Sequence, residues 1–260
     1  MIIDAHCHAG EGDGLSGPWD TSAPLDSYLA RARAAGITHT VLFPPLTSDY
    51  SRANRELARI TLRAPQRFTG VAFVNPVADA GRVASMVERA VDQWGFRGIK
   101  VHWRDGRMTR EIAEVARRRR LPVIYDPGGD NAVIEMIART YPDVAWIIPH
   151  LSSFADTWKS QVAFVDQLTR FPNVFTDSSG VRYFDVLRDA VRRAGAHKVL
   201  FGTDGPFLHP AVELSKIRAL QLDRTARSLV LGGNIVRLMR GVRRVSVAPE
   251  SRAPLSRRAS

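Results

Sequence analysis

Short runs of β-branched and aromatic residues recur along the chain, and between them lie longer stretches whose apolar residues return every three or four positions. The first pattern is that of buried strands, the second that of helices packed by one face. Strands are predicted at residues 2–8 (IIDAHCH), 38–44 (THTVLFP), 68–74 (FTGVAFV), 97–102 (RGIKVH), 122–126 (PVIYD), 144–150 (VAWIIPH), 173–178 (NVFTDS) and 198–204 (KVLFGTD). Helical stretches such as LDSYLARARAAG, VASMVERAVDQWG and FDVLRDAVRRAG separate them, several closed by a Gly or Pro. Eight strands alternating with helices predict an α/β fold, a single (β/α)₈ TIM barrel over residues 1–240, with a doubly wound open sheet as the alternative.

In such a barrel the functional groups gather where the strands end. Those ends carry His6 and His8 on the first strand, Lys100 and His102 on the fourth, Asp126 on the fifth, His150 on the sixth and Asp204 on the eighth. Side chains alternate along a strand, so His6 and His8 share a face and Cys7 takes the other. The same parity sets Lys100 and His102 opposite Ile99 and Val101, and Asp126 opposite Tyr125. Converging His and Asp side chains make poor core, because an unpaired polar group costs roughly 2–7 kcal/mol to bury. A shared cation would satisfy them together.

Composition narrows the class. With 260 residues, 45% of them apolar, the chain can bury a substantial core. Its single cysteine forms no internal disulfide, and the start MIIDAH lacks a leader pattern, so a reducing cytoplasm is the expected compartment. No apolar run approaches the length of a membrane span. The net charge of +11 invites a polyanion partner. However, residues 240–260 carry six arginines against Glu250, a net of +5, which leaves +6 for the rest. Residues 241–260, rich in Arg, Pro, Ser and Ala, are expected to form a disordered tail. The expected partner is a small-molecule substrate, with neither nucleic acid nor a membrane.

Five stretches, IIDAHCH, GIKVH, IIPHLSS, LFGTDGP and LVLGGNIVRLM, occur in this order and in register with the predicted strands. Together they resemble the amidohydrolase-related family, the branch of the amidohydrolase superfamily that includes aminocarboxymuconate semialdehyde decarboxylase. The resemblance runs over about residues 1–240. It implies a barrel with one divalent metal, usually zinc, held by His6, His8 and Asp204, with His150 as the acid/base. The family's usual histidine ligand at the end of strand five is absent here, and PVIYDPGG puts Asp126 in its position. A carboxylate can ligate zinc at about 2.0–2.2 Å, so Asp126 is expected as a fourth ligand. Two His and two Asp make a formally neutral zinc centre, and the added oxygen tilts preference towards Mn²⁺ or Mg²⁺. A homodimer is the family's common assembly.

Lys100 and His102 are expected to contact substrate. The long loop AGEGDGLSGPWDTSAP follows the histidine pair and offers Trp19 as an apolar surface, while Arg182 after strand seven can clamp a carboxylate by paired donors. His39, His197 and His209 read as structural or surface residues. The leading expectation is a metal-dependent hydrolase of a small ester, lactone or amide that uses a metal-activated water. The alternatives are non-oxidative decarboxylation of an unsaturated or aromatic acid, and a non-catalytic barrel if Asp126 marks a lost site. Barrel nucleases share only the H-x-H and need a glutamate on strand four, where Gly98 and Lys100 stand.

Overall fold

The computed structural model describes residues 1–14, 22–154 and 157–244. Eight parallel strands follow one another around a ring: β1 (Ile3–His8), β2 (His39–Phe43), β3 (Phe68–Gly70 continued by Ala72–Phe73), β4 (Ile99–His102), β5 (Val123–Asp126), β6 (Trp146–Ile148), β7 (Val174–Asp177) and β8 (Val199–Leu200). Each falls within its predicted run. The break at Val71 divides β3, whose first part pairs with β2 and whose second pairs with β4. The ring closes where the Ala5 N–H donates to the Phe201 carbonyl at 2.9 Å and the Asp204 N–H to that of His6 at 2.8 Å. The fold is therefore a (β/α)₈ barrel.

Helices α1 (Leu25–Ala34), α2 (Tyr50–Arg63), α3 (Val83–Trp94), α4 (Arg110–Arg119), α5 (Asn131–Thr140), α6 (Trp158–Arg170), α7 (Phe184–Ala194) and α8 (Pro210–Ala219) surround it. Asp49, Thr109 and Asp130 start three of them by accepting the N–H groups of Arg52, Ile112 and Val133, donors that would otherwise be orphaned. Each helix turns an apolar stripe to the strands, as Val83, Val87, Ala90 and Val91 do in α3. After α8, the helical segments α9 (Arg224–Ser228) and α10 (Asn234–Met239) bring Ile235 and Met239 against the interior residues Ile3 and Val41.

The core has two shells. Val41, Phe43, Phe73, Ile124, Ile147, Phe175 and Leu200 fill the barrel, and a larger shell lies between strands and helices. In β4 and β5 the expected parity holds, with Ile99, Val101 and Tyr125 in the outer shell. β1 departs from simple alternation. Its register with β2 jumps from Asp4 opposite Thr40 to Cys7 opposite Leu42, so Ala5 and His6 together face Val41. This bulge turns Ala5 and His6 both inward, re-aiming a side chain as bulges near active sites do. Asp4 is left outside, where it accepts the Tyr28 hydroxyl at 2.7 Å, the Thr203 N–H at 2.9 Å and the Thr203 hydroxyl.

A two-residue antiparallel pair, Gly10–Glu11 with Ser22–Ala23, forms the base of the loop after β1. Trp19 lies outside the described residues. The Arg243 N–H donates to the Arg119 carbonyl at 2.9 Å and the Arg244 guanidinium to that of Val91 at 3.1 Å, so the chain is fastened to α3 and α4 through residue 244. The rest of the expected tail lies outside the described residues. No helix among the described residues is long and apolar enough to cross a membrane.

Candidate active site

At the C-terminal mouth of the barrel, His6, His8 and Asp204 bring one ligand atom each within 4.8 Å of one another. His6 Nε2 lies 3.3 Å and His8 Nε2 3.2 Å from the same Asp204 oxygen. The other ring nitrogens are committed. His6 Nδ1 meets Asp177 at 2.8 Å and His8 Nδ1 meets the Pro44 carbonyl at 3.0 Å. A carboxylate and a carbonyl only accept, so both Nδ1 atoms carry a proton and both Nε2 atoms are turned to Asp204. With the rings neutral those Nε2 atoms are lone pairs facing a carboxylate, an arrangement that either protons on Nε2 or a shared metal cation satisfies. The donor set thus fits a divalent metal ion, with Asp177 and Pro44 fixing the histidine tautomers from behind as supporting acceptors do in metal sites.

Asp177, at the end of β7, joins more than His6. Its second oxygen accepts the Ser179 N–H at 3.0 Å, the Ser179 hydroxyl and, at 3.4 Å, the N–H of His150. His150 stands on a turn with φ +57°, followed by Leu151 and Ser152 also at positive φ. This left-handed backbone costs about 1–2 kcal/mol per residue. Gln161 offsets it by donating to the carbonyls of His150 and Ser153 at 3.0 and 2.7 Å. His150 Nδ1 donates to the Ser179 carbonyl at 2.6 Å, which leaves Nε2 as a bare base. Close approach makes Gly202 necessary: a Cβ there would lie 2.9 Å from that of His6 and 3.3 Å from that of Asp177.

On the opposite side, His102 Nε2 lies 3.4 Å and His150 Nε2 4.0 Å from one Asp126 oxygen, and the Gly128 N–H reaches the other at 2.8 Å. Asp126, expected as a fourth ligand, therefore stands against His102 and Gly128 and outside the group formed by His6, His8 and Asp204. His102 has the opposite tautomer from its three neighbours. Its Nδ1 accepts the Arg104 N–H at 3.2 Å, so the proton sits on Nε2.

Burial and charge act differently on the two sides. Burial disfavours a charged His6, but Asp177 outweighs it and pushes the pKa up to about 9. At His102 burial wins and the pKa falls to about 3. Burial also holds His8, His150 and Lys100 below their ordinary values. It would raise Asp204 and Asp126, yet the surrounding histidines outweigh it and hold both below the carboxylate range. These groups line one cavity of about 450 Å³, walled on its apolar side by Leu46, Phe73, Phe154 and Phe207.

The amidohydrolase family model matches residues 3–241. The chain belongs to the amidohydrolase family. No curated protein matches it in sequence. Among solved structures this amidohydrolase is similar to 5-carboxyvanillate decarboxylase from Sphingomonas paucimobilis, with 15% identity over 93% of this chain and 99% of that one and a TM-score of 0.71. It is similar to a proposed 2-pyrone-4,6-dicarboxylic acid hydrolase from Pseudomonas putida, with 21% identity over 92% and 97% of the two chains and a TM-score of 0.71. It is also similar to a dihydroxybenzoic acid decarboxylase from Polaromonas with bound manganese, with 18% identity over 92% and 96% and a TM-score of 0.68. At these identities the likeness speaks for the fold.

The amidohydrolase's Lys100 is buried beside the Phe43 ring, 5.1 Å from its centroid, and lines the cavity with His102. Arg182 does not join them. It is exposed and lies over Tyr183, away from the cavity lining. Asp177 is a further functional residue, and its signal in the sequence is that it closes the apolar run VFTD as Asp126 closes VIYD. Trp103 stacks on His102 and packs against Gly128, whose absent Cβ would sit 2.7 Å from the indole.

Proposed function

We propose that this amidohydrolase is a metal-dependent hydrolase of a small ester, lactone or amide, with zinc or manganese held by His6, His8 and Asp204. The observation that carries the reading is the paired presentation of the His6 and His8 Nε2 atoms to one Asp204 oxygen, across from the bare Nε2 of His150. A divalent cation there supplies a Lewis acid that polarises a carbonyl and acidifies a water. His150 is kept neutral by burial, so Nε2 takes a proton from the attacking water and returns it to the leaving atom. Its Nδ1–H, held by Ser179, keeps the ring oriented through both transfers. The carboxylates of Asp126, Asp177 and Asp204 are balanced by Lys100 and one divalent cation, and Arg104 adds one exposed positive charge to the cavity lining. A pyrone is a cyclic ester, so the similar Pseudomonas structure is in keeping with this chemistry.

Decarboxylation is the second reading, favoured by the buried Lys100 ammonium as a partner for a carboxylate and by the named activities of two similar structures. Metal-loaded protein assayed for ring opening or ester cleavage and for carbon dioxide release separates the two. Cleavage that is lost in His150→Ala, with metal retained, is the expected result. Carbon dioxide release alone would replace the hydrolase, and protein that takes up no metal would favour a non-catalytic barrel.

A further inference from the structure

The side of the cavity built by β4, β5 and the turn after β6 holds two hydrogen-bond acceptors, Asp126 and His150, with lone pairs to spare. Asp126 is 5% exposed, and an ionised carboxylate offers about four lone-pair directions. One is taken by the Gly128 N–H at 2.8 Å, and His102 Nε2 approaches the other oxygen only to 3.4 Å. His150 Nε2, bare because Nδ1 is committed to Ser179, lies 4.0 Å from the same Asp126 oxygen. Two acceptors this close, both lining the cavity, call for a donor from the ligand. The Arg104 N–H makes the arrangement firm, since it fixes the His102 tautomer and prevents that ring from turning its own lone pair to Asp126.

We infer that Asp126, positioned by His102 and Gly128, is a specificity-determining residue that accepts a hydrogen bond from a hydroxyl group on the substrate. Lys100 disfavours an ammonium as the donor, because it is the buried cation beside Asp126 and would repel a second one. The inference rests on the hydrolase reading for the kind of molecule bound, while the donor itself follows from the two acceptors. It assigns to recognition a strand end that the family's pattern gives to metal binding.

The test uses metal-loaded full-length protein with γ-butyrolactone, its α-hydroxy and β-hydroxy derivatives, and its α-amino derivative. Wild type is expected to favour a hydroxylated lactone over the parent by about tenfold or more in Kd, or in kcat/KM where it is turned over. Asp126→Ala should erase that ratio while metal content, read by elemental analysis, stays at the wild-type value. His102→Gln should reduce the ratio less. The ratio is independent of how much variant protein is folded. Equal binding of parent and hydroxylated lactones by wild type overturns the inference, as does loss of metal from Asp126→Ala, which would make Asp126 a ligand. Preference for the amino derivative overturns the choice of hydroxyl. A binding preference without ring opening would remove the hydrolase reading and leave the inference standing.

Discussion

Two histidine–carboxylate pairs face each other across the mouth of this barrel, and their chemistry diverges. His6 meets Asp177 at 2.8 Å through Nδ1, and the pair raises the imidazole to about 9. His102 meets Asp126 at 3.4 Å through Nε2, and burial takes it to about 3. The residue types are the same. What differs is distance and the task of the second nitrogen, which in His6 faces Asp204 and in His102 accepts a backbone N–H. A short contact with a carboxylate that has its own donors makes a strong base suited to a cation. A long contact beside a lysine leaves a neutral ring that donates.

The sharpest break in this comparison is Asp177→Asn. The amide can no longer serve His6, His150 and Ser179 together, and metal affinity should fall about 10- to 100-fold, as measured by competition with a chelator. Asp126→Asn should leave that affinity near the wild-type value.

The pairs should also separate by pH in protein stripped of metal. The His6 pKa is higher in the folded than in the unfolded chain, so its stabilisation is complete below 6.5 and is lost as pH rises through about 9. The His102 pKa is lower when folded, so its contribution is present above 6.5 and is lost as pH falls towards about 3. Urea unfolding across this range should show two limbs. His6→Gln should flatten the alkaline one and His102→Gln the acid one; a profile in which either variant flattens both would mean that the pairs are not independent.

A smaller effect is expected from His102→Gln in turnover, about tenfold or less, with metal content unchanged. Arg182→Ala should change turnover less than about twofold and stability by no more than about 0.5 kcal/mol, because the side chain is exposed on Tyr183. A large loss of activity there would return Arg182 to the substrate.

The barrel was legible because buried parallel strands announce themselves as apolar runs, and His6, His8, Lys100, His102, Asp126, His150 and Asp204 were legible as the polar residues ending them. Their partners were not. Asp177 reaches His6 across 171 residues, a contact that no local period encodes. Nor does alternation reveal the bulge: it gives the shared face of His6 and His8 but predicts Ala5 on the other side. Arg182 was chosen by chemistry alone, and β7's following turn sends it to the surface. Asp126 was legible as the polar residue ending its strand, whereas its bond to Gly128 and its contact with His102 depend on backbone N–H groups that a sequence does not display.

The bond from Asp4 to Thr203 spans 199 residues and sits beside the junction that unites His6, His8 and Asp204. A ribosome extends a chain at roughly 5–20 residues per second, so the two histidines emerge about 10–40 s before their aspartate exists. Nascent chains therefore expose two of the three donors without the means to complete the set. Completion of the donor set waits for the eighth strand, and a chain stalled before it cannot close the site.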